Sequence, residues 1–201
     1  KLQENMKYWL EAIMPVCDKY DINMCVHPDD PPYPVFGLPR IIGTAEDIQW
    51  MLDAVPNKHN GLTFCAGSFS AGEHNDCVAM AKQFADRTHF VHLRSCYIFP
   101  NGNFTEASHL GGRADLIELC RIFEKAEQEG KCNSGRRLPM RVDHGMTFTD
   151  KPGGVFDEST HGHNAGYTLL GRMFAMGQIQ GVIATVDREL GIKYKQPGFY
   201  D

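Results

Sequence analysis

The feature that most constrains the fold is a β-favouring run that recurs four times and ends each time in a metal-ligand type of residue. The runs are Met24-Cys25-Val26-His27, Leu62-Thr63-Phe64-Cys65, Phe90-Val91-His92 and Met140-Arg141-Val142-Asp143. A helix-like stretch separates each run from the next, which predicts parallel strands joined by crossover helices. We therefore expect the four terminal side chains at one rim of a parallel sheet.

The predicted elements alternate along the whole chain. They are helix 1–20, strand 22–27, helix 45–55, strand 61–65, helix 74–85, strand 89–94, helix 113–129, strand 138–143 and a last helix near 164–185. A doubly wound sheet lacks support because no GxGxxG turn follows a strand, whereas barrels place their chemistry at the carboxyl ends of several strands. We predict an α/β fold of the (β/α)₈ TIM-barrel type. The 201 residues are expected to be the C-terminal half, about four βα units, of one catalytic domain.

Composition and charge exclude several classes of protein. The net charge of −5 and the pI near 6.0 leave no basic stripe for a nucleic acid. The sequence shows no apolar stretch that we expect to span a membrane. Seven cysteines without CxxC spacing predict reduced thiols and a cytoplasmic location. A small-molecule substrate is the expected partner, and a homodimer is left open.

The terminal residues of the four runs form a mixed nitrogen, sulfur and oxygen set that suits a divalent transition metal. These candidate ligands are His27, Cys65, His92 and Asp143. Each also has a structural interpretation, since turns favour polar residues, free cysteines are commonly buried, and Asp often caps helices. Their repetition at strand ends favours a metal site.

Further candidates flank these positions. Arg94 shares a strand face with His92 and could bind a substrate carboxylate, although an ion pair to Asp or Glu is the structural alternative. His144, next to Asp143, is a proton-transfer group. Tyr167 at a predicted helix start could pack, or act as a proton donor or acceptor near a metal.

Four other groups of residues are interpreted mainly as structural. Asn75 and Asp76 are expected to cap a helix. His89 is predicted to be a surface residue at a strand start. Glu106 and His109, in a loop after the third strand, could reach over the site, but an exposed loop histidine is the more ordinary interpretation. His161 and His163 are predicted in a surface loop.

These residues lie in motifs that resemble the mannonate dehydratase family, a hexuronate-pathway lyase family with a sugar-isomerase-like TIM barrel. The motifs are HPDDPP (27–32), FGLPRI (36–41), TFCAGS (63–68), HLRS (92–95), EASHLGG (106–112), RVDHG (141–145) and GYTLLGR (166–172). They follow one another in order through almost the whole chain.

The resemblance implies a reaction and a cofactor. It implies dehydration of D-mannonate to 2-dehydro-3-deoxy-D-gluconate and water, with Mn²⁺ or Fe²⁺. The implied ligands are His27, Cys65, His92 and Asp143. His144 and Tyr167 would transfer protons, in an order left open, and Arg94 and His109 would bind substrate.

Two alternatives belong to other functional classes. A metal-dependent sugar isomerase or epimerase would use the same barrel, but such sites usually employ carboxylates and histidines, often around two metals, so Cys65 counts against it. A structural zinc protein would close its four ligands tetrahedrally and turn over no substrate. A pure binding module has the least support from composition.

Overall fold

The computed structural model describes residues 1–146 and 167–193. The helices in this part are α1 (Leu2–Tyr20), α2 (Ala45–Ala54), α3 (Ala66–Ser70), α4 (Cys77–Phe84), α5 (Leu116–Gln128) and α6 (Leu169–Glu189). The strands are β1 (Met24–Val26), β2 (Asn60–Cys65), β3 (Thr88–Leu93), β4 (Cys96–Ile98), β5 (Phe104–Glu106) and β6 (Met140–Val142). His161 and His163 lie outside the described residues.

The main sheet has the order β1-β2-β3-β6, and its neighbouring strands are parallel. The predicted α/β alternation with a parallel sheet is therefore confirmed. Register brings the strand ends together, because Cys65 pairs with His92 and Leu93 pairs with Val142. The candidate residues consequently gather at the carboxyl edge of the sheet.

Burial of β2 and β3 explains their short apolar runs. Leu62, Phe64, Val91 and Leu93 are fully buried, and buried strands of a parallel sheet lack the polar alternation of half-exposed ones. Phe64 meets Phe123 of α5, with ring centroids 5.2 Å apart. The helices thus pack over the sheet, and the strand ends are left to the connecting loops.

Capping starts two helices directly after loops at the carboxyl edge. Thr44 and Asp47 form a reciprocal capping box on α2, and the Asp76 carboxylate accepts from two backbone amides at the start of α4. The capping role of Asp76 is confirmed. Asn75 instead uses its buried amide to donate to the carbonyl oxygens of Gly43 and Phe69, so it ties two loops together.

Two stretches predicted as loops contain regular structure. β4 and β5 pair as an antiparallel hairpin, which carries Glu106 back toward the end of β3. Residues 66–70 form the short helix α3 immediately after β2. Gly67 is needed there because a Cβ would lie 2.3 Å from the Arg94 stem. A single helical turn is too short to show periodicity in the sequence, and the hairpin strands lack the flanking helices that marked the equally short β1 and β6.

The last helix differs from the sequence-based expectation about membranes. By length and composition alone, α6 is apolar enough to cross a bilayer. Glycines and glutamines interrupt its apolar residues, so the length of the apolar segment was not recognised in the sequence. It packs against α5 and β6 and buries Ala175, Ile179, Val182 and Val186. A core helix passes the same test, so the predicted absence of a membrane partner stays a prediction.

The amino-terminal edge of the sheet contains a second group of histidines. His59 and His89 are 1% and 4% exposed, so the prediction of His89 as a surface residue is wrong. His89 faces Gly61, where a Cβ would lie 2.3 Å from the ring. A strand-start histidine was expected to reach solvent, but the turns before β2 and β3 cover it.

Candidate metal centre and active site

Three candidate ligands converge at the carboxyl edge of the sheet. The donor atoms of His27, Cys65 and His92 all lie within 4.8 Å of one another. Each comes from the end of a different strand: His27 follows β1, Cys65 ends β2, and His92 is the penultimate residue of β3. Strand register therefore builds this triplet, as the sequence predicted for these three residues.

Hydrogen bonds orient two members of the triplet. His27 Nδ1 lies 2.7 Å from the Pro28 carbonyl oxygen, which can only accept, so Nδ1 is the donor in that bond. Ser68 donates to Cys65 Sγ at 3.1 Å. His92 Nδ1 is buried and has no hydrogen-bond partner among the described residues. An unpartnered buried nitrogen beside a thiol and a second imidazole fits a metal ligand set.

Asp143 lies at the edge of this triplet. Its Oδ2 is 3.9 Å from His92 Nδ1, and its Oδ1 accepts from Tyr167 and from Arg141, each at 2.9 Å. Burial by itself would raise the pKa of Asp143, but neighbouring His144, the Tyr167 hydrogen bond and His92 hold it below its usual value. An ionised carboxylate beside three donors suits a fourth ligand, which stays a prediction.

The two candidate proton-transfer residues adjoin each other and Asp143. The rings of His144 and Tyr167 have centroids 5.3 Å apart, and His144 Nε2 is 3.4 Å from Asp143 Oδ2. The His144 side chain is 17% exposed, so a small solute can reach it. Burial and the hydrogen bond to Asp143 raise the pKa of the Tyr167 phenol. The structure thus brings both residues to Asp143, at the carboxyl edge of the sheet.

Arg94 is buried among carboxylates. Arg94 is only 2% exposed. Its Nε lies 2.9 Å from Glu106 Oε2, its Nη2 lies 2.6 Å from Glu106 Oε1, and its Nη1 also donates to Asp30. Burial would lower the pKa of Arg94, but both carboxylates raise it above its usual value. This placement favours the ion-pair alternative over direct contact with a substrate.

Glu106 is the functional candidate that sequence reasoning underrated. Its Oε1 lies 3.1 Å from His144 Nδ1, so it joins Arg94 to the proton-transfer pair. Burial would raise its pKa, but the contacts with His144 and Arg94 lower it, and the carboxylate is ionised. The available signal was its place in the motif EASHLGG, and the β4–β5 hairpin that delivers it could not be recognised.

His109 is buried, contrary to its interpretation as an exposed loop histidine. It is 1% exposed, and its Nε2 donates to the Leu93 carbonyl at 2.8 Å. Burial lowers its pKa. A Cβ at Gly145 would lie 3.1 Å from the His109 ring, so the ring packs beneath the turn that carries His144. Its predicted substrate contact remains a prediction.

Comparison with known proteins shows which family the chain matches. The family model for D-mannonate dehydratase (UxuA) matches residues 1–193. Mannonate dehydratase 2 of Agrobacterium fabrum is 40% identical over 191 residues, which are 94% of this chain and 46% of that protein. The mannonate dehydratase of Saccharophagus degradans is 39% identical over 187 residues, covering 92% of this chain and 46% of the relative. The chain thus spans about half the length of these relatives.

Two solved structures share the fold. The mannonate dehydratase of Streptococcus suis serotype 2 superposes with a TM-score of 0.81 and 27% identity over 97% of this chain and 53% of the other. A xylose isomerase-like TIM barrel protein of Mycobacterium smegmatis, solved with magnesium, has a TM-score of 0.58 and 12% identity over 92% and 51% of the two chains. That second likeness shows the fold alone. On the family match and the fold together, the chain belongs to the D-mannonate dehydratase family.

Proposed function

We propose that this chain carries the metal and proton-transfer site of a hydro-lyase that dehydrates D-mannonate to 2-dehydro-3-deoxy-D-gluconate. The observation that carries the proposal is the convergence of His27, Cys65 and His92 within 4.8 Å, with His144 and Tyr167 adjoining it. The identity of the substrate is inferred from membership of the family. A cytoplasmic location, a homodimer and the place of the chain as the C-terminal part of one barrel domain stay predictions.

The donor set fits a divalent cation. His27, Cys65 and His92, with Asp143 as the fourth ligand, would hold Mn²⁺ or Fe²⁺, and two imidazoles, a thiolate and a carboxylate suit such ions. When bound, the ion supplies Lewis-acid stabilisation of negative charge that develops on the substrate oxygens. The free Cys65 thiol and the unpartnered His92 nitrogen are available for this role.

The protein residues then supply the proton transfers. Dehydration removes the C2 proton, the C–H electron pair forms the C2–C3 double bond, and the C3–O bond breaks. The departing hydroxyl takes a proton and leaves as water, and the enol product ketonises. His144 and Tyr167 are the two groups placed to accept and to give these protons. Arg94 would hold the carboxylates of Glu106 and Asp30 in position through its ion pairs.

The competing functions have less support. The isomerase or epimerase alternative is not favoured, since the relatives are mannonate dehydratases. A structural zinc site would have no use for proton-transfer residues, whereas His144 and Tyr167 both contact Asp143.

The test is an assay of the chain with D-mannonate and added Mn²⁺ or Fe²⁺. We expect a 2-keto-3-deoxy acid to form, and we expect a chelator to stop its formation and fresh metal to restore it. Nuclear magnetic resonance of the mixture identifies the product. An interconverted sugar acid without loss of water would replace the dehydratase by the isomerase alternative. Metal binding without any turnover would favour the structural site.

A further inference from the structure

We propose that Glu106 is a positioning residue that holds the His144 ring in place for proton transfer by accepting a hydrogen bond from its Nδ1. The inference rests on the proposed function. Its basis is a line of contacts that runs from Asp30 through Arg94 and Glu106 to His144.

The first step is the direction of the hydrogen bond between Glu106 and His144. His144 Nδ1 lies 3.1 Å from Glu106 Oε1, and an ionised carboxylate only accepts. Nδ1 therefore donates to Glu106, and this hydrogen bond fixes the rotation of the ring. Asp143 Oδ2 faces Nε2 at the longer distance of 3.4 Å, and that carboxylate already accepts from Tyr167 and Arg141.

The second step is the immobilisation of Glu106 itself. Arg94 reaches both Glu106 oxygens through Nε and one of them through Nη2, at 2.6 to 3.1 Å. Arg94 cannot swing away easily, because Asp30 binds its other amino group and Gly67 abuts its stem. A bidentate arginine fixes the plane of a carboxylate. The Glu106 oxygen that faces His144 is thereby held in place.

The direct test follows the hydrogen bond itself. In the chain loaded with diamagnetic Zn²⁺, the Nδ1 proton of His144 is identified by loss of its signal in His144→Asn, and its exchange with solvent is measured by nuclear magnetic resonance. We expect this proton to be protected from exchange in the wild type and to exchange faster in Glu106→Gln. Equal exchange in the two proteins overturns the proposal. This measurement stands whether or not D-mannonate is turned over, so its failure is separate from failure of the proposed function.

The kinetic test asks whether Glu106 acts through His144. Glu106→Gln should lower kcat about 100-fold, within the range of acid–base catalysis, and change KM less than about threefold. In a His144→Asn background the same exchange should lower kcat less than about threefold further, because residues that act as a unit are not additive. Equal loss in both backgrounds, with lower metal affinity, would show a purely structural role and overturn the proposal.

A matched control separates this effect from the general cost of removing an ion pair. Glu118 pairs with Arg121 at 2.6 Å on α5, away from the strand ends. Glu118→Gln should leave kcat and KM unchanged in the same assay. A comparable fall in kcat for the control would mean that loss of any paired carboxylate damages the enzyme, and the specific role of Glu106 would be withdrawn.

Discussion

The two ends of one sheet carry histidines with different consequences. At the carboxyl edge, His27 and His92 join Cys65 in a cluster whose donors lie within 4.8 Å. At the amino edge, His59 and His89 are more deeply buried. His59 bonds to Asn23 at 2.7 Å, and both nitrogens of the His89 ring lack a hydrogen-bond partner among the described residues.

Burial of a histidine therefore does not by itself mark a functional site. The His59 ring lies beside the Asn23 amide and the Asp18 and Asp21 carboxylates, and the His89 ring lies against Gly61. At the carboxyl edge the donor atoms of two rings and a thiol lie close together, with the Pro28 carbonyl bonded to His27 and Ser68 bonded to Cys65. This division agrees with the general placement of chemistry at the carboxyl ends of barrel strands and of stability at the opposite face.

The largest expected effect compares two histidines on β3. His92→Leu should weaken Mn²⁺ binding about 1,000-fold, or ~4 kcal/mol, because it removes one ligand. His89→Leu, the same exchange three residues earlier, should leave the affinity within about threefold. Isothermal titration calorimetry of both variants measures the contrast. Equal affinities in the two variants would remove His92 from the ligand set and break the comparison.

The second effect compares a glycine at each end of the sheet. A Cβ at Gly61 would lie 2.5 Å from the Arg87 carbonyl oxygen and 2.3 Å from the His89 ring, and backbone gives way poorly. Gly61→Ala should cost about 3 kcal/mol of unfolding free energy, at the upper end of overpacking. Gly67→Ala meets Arg94 Cδ, Cγ and Cβ at 2.3 to 2.7 Å, and it should cost about 2 kcal/mol because the ion pairs of Arg94 resist its displacement.

Urea unfolding of both glycine variants, followed by circular dichroism, measures these costs. The Gly67 variant should also lose activity, since Arg94 and its partner Glu106 must move. If Gly67→Ala proved the less stable of the two, the carboxyl edge would be the more rigid end, contrary to the packing described above.

The smallest effect concerns pH and the amino edge. Burial, and then the charge of Arg87, lower the pKa of His89 from 6.5 to about 4. The unfolded chain binds a proton below pH 6.5 that the folded chain does not accept until pH 4, so stability falls as pH falls through this window. His89 should contribute about 2 kcal/mol of that loss, within the limit of ~3 kcal/mol set by the shift.

The check is urea unfolding of the wild type and His89→Leu at about pH 7.5 and pH 4.5. The variant cannot take up the proton, so its stability should fall less over the same interval. Identical pH dependence in the two proteins would show that the His89 ring is solvated in the folded state.

Local pattern accounts for the parts of the fold that sequence reasoning predicted. Apolar runs and helix periodicity depend on neighbours a few residues apart, and they placed the four parallel strands. Because chain direction then fixes which ends meet, the convergence of His27, Cys65 and His92 followed from the same pattern. The one-turn helix α3 was missed since it is too short to show an amphipathic period, and the hairpin strands were missed since no helix separates them from β3 or from each other.

Sequence patterns were enough to predict the parallel α/β arrangement, the family and the residues that lie at the carboxyl edge. Only the tertiary structure decided which charged groups meet: Arg94 with Glu106 and Asp30, Glu106 with His144, and His109 beneath Gly145. It also decided that His89 is buried. The physical reason is that a strand end fixes where a side chain emerges, whereas its partner comes from a loop whose path depends on packing of the whole chain.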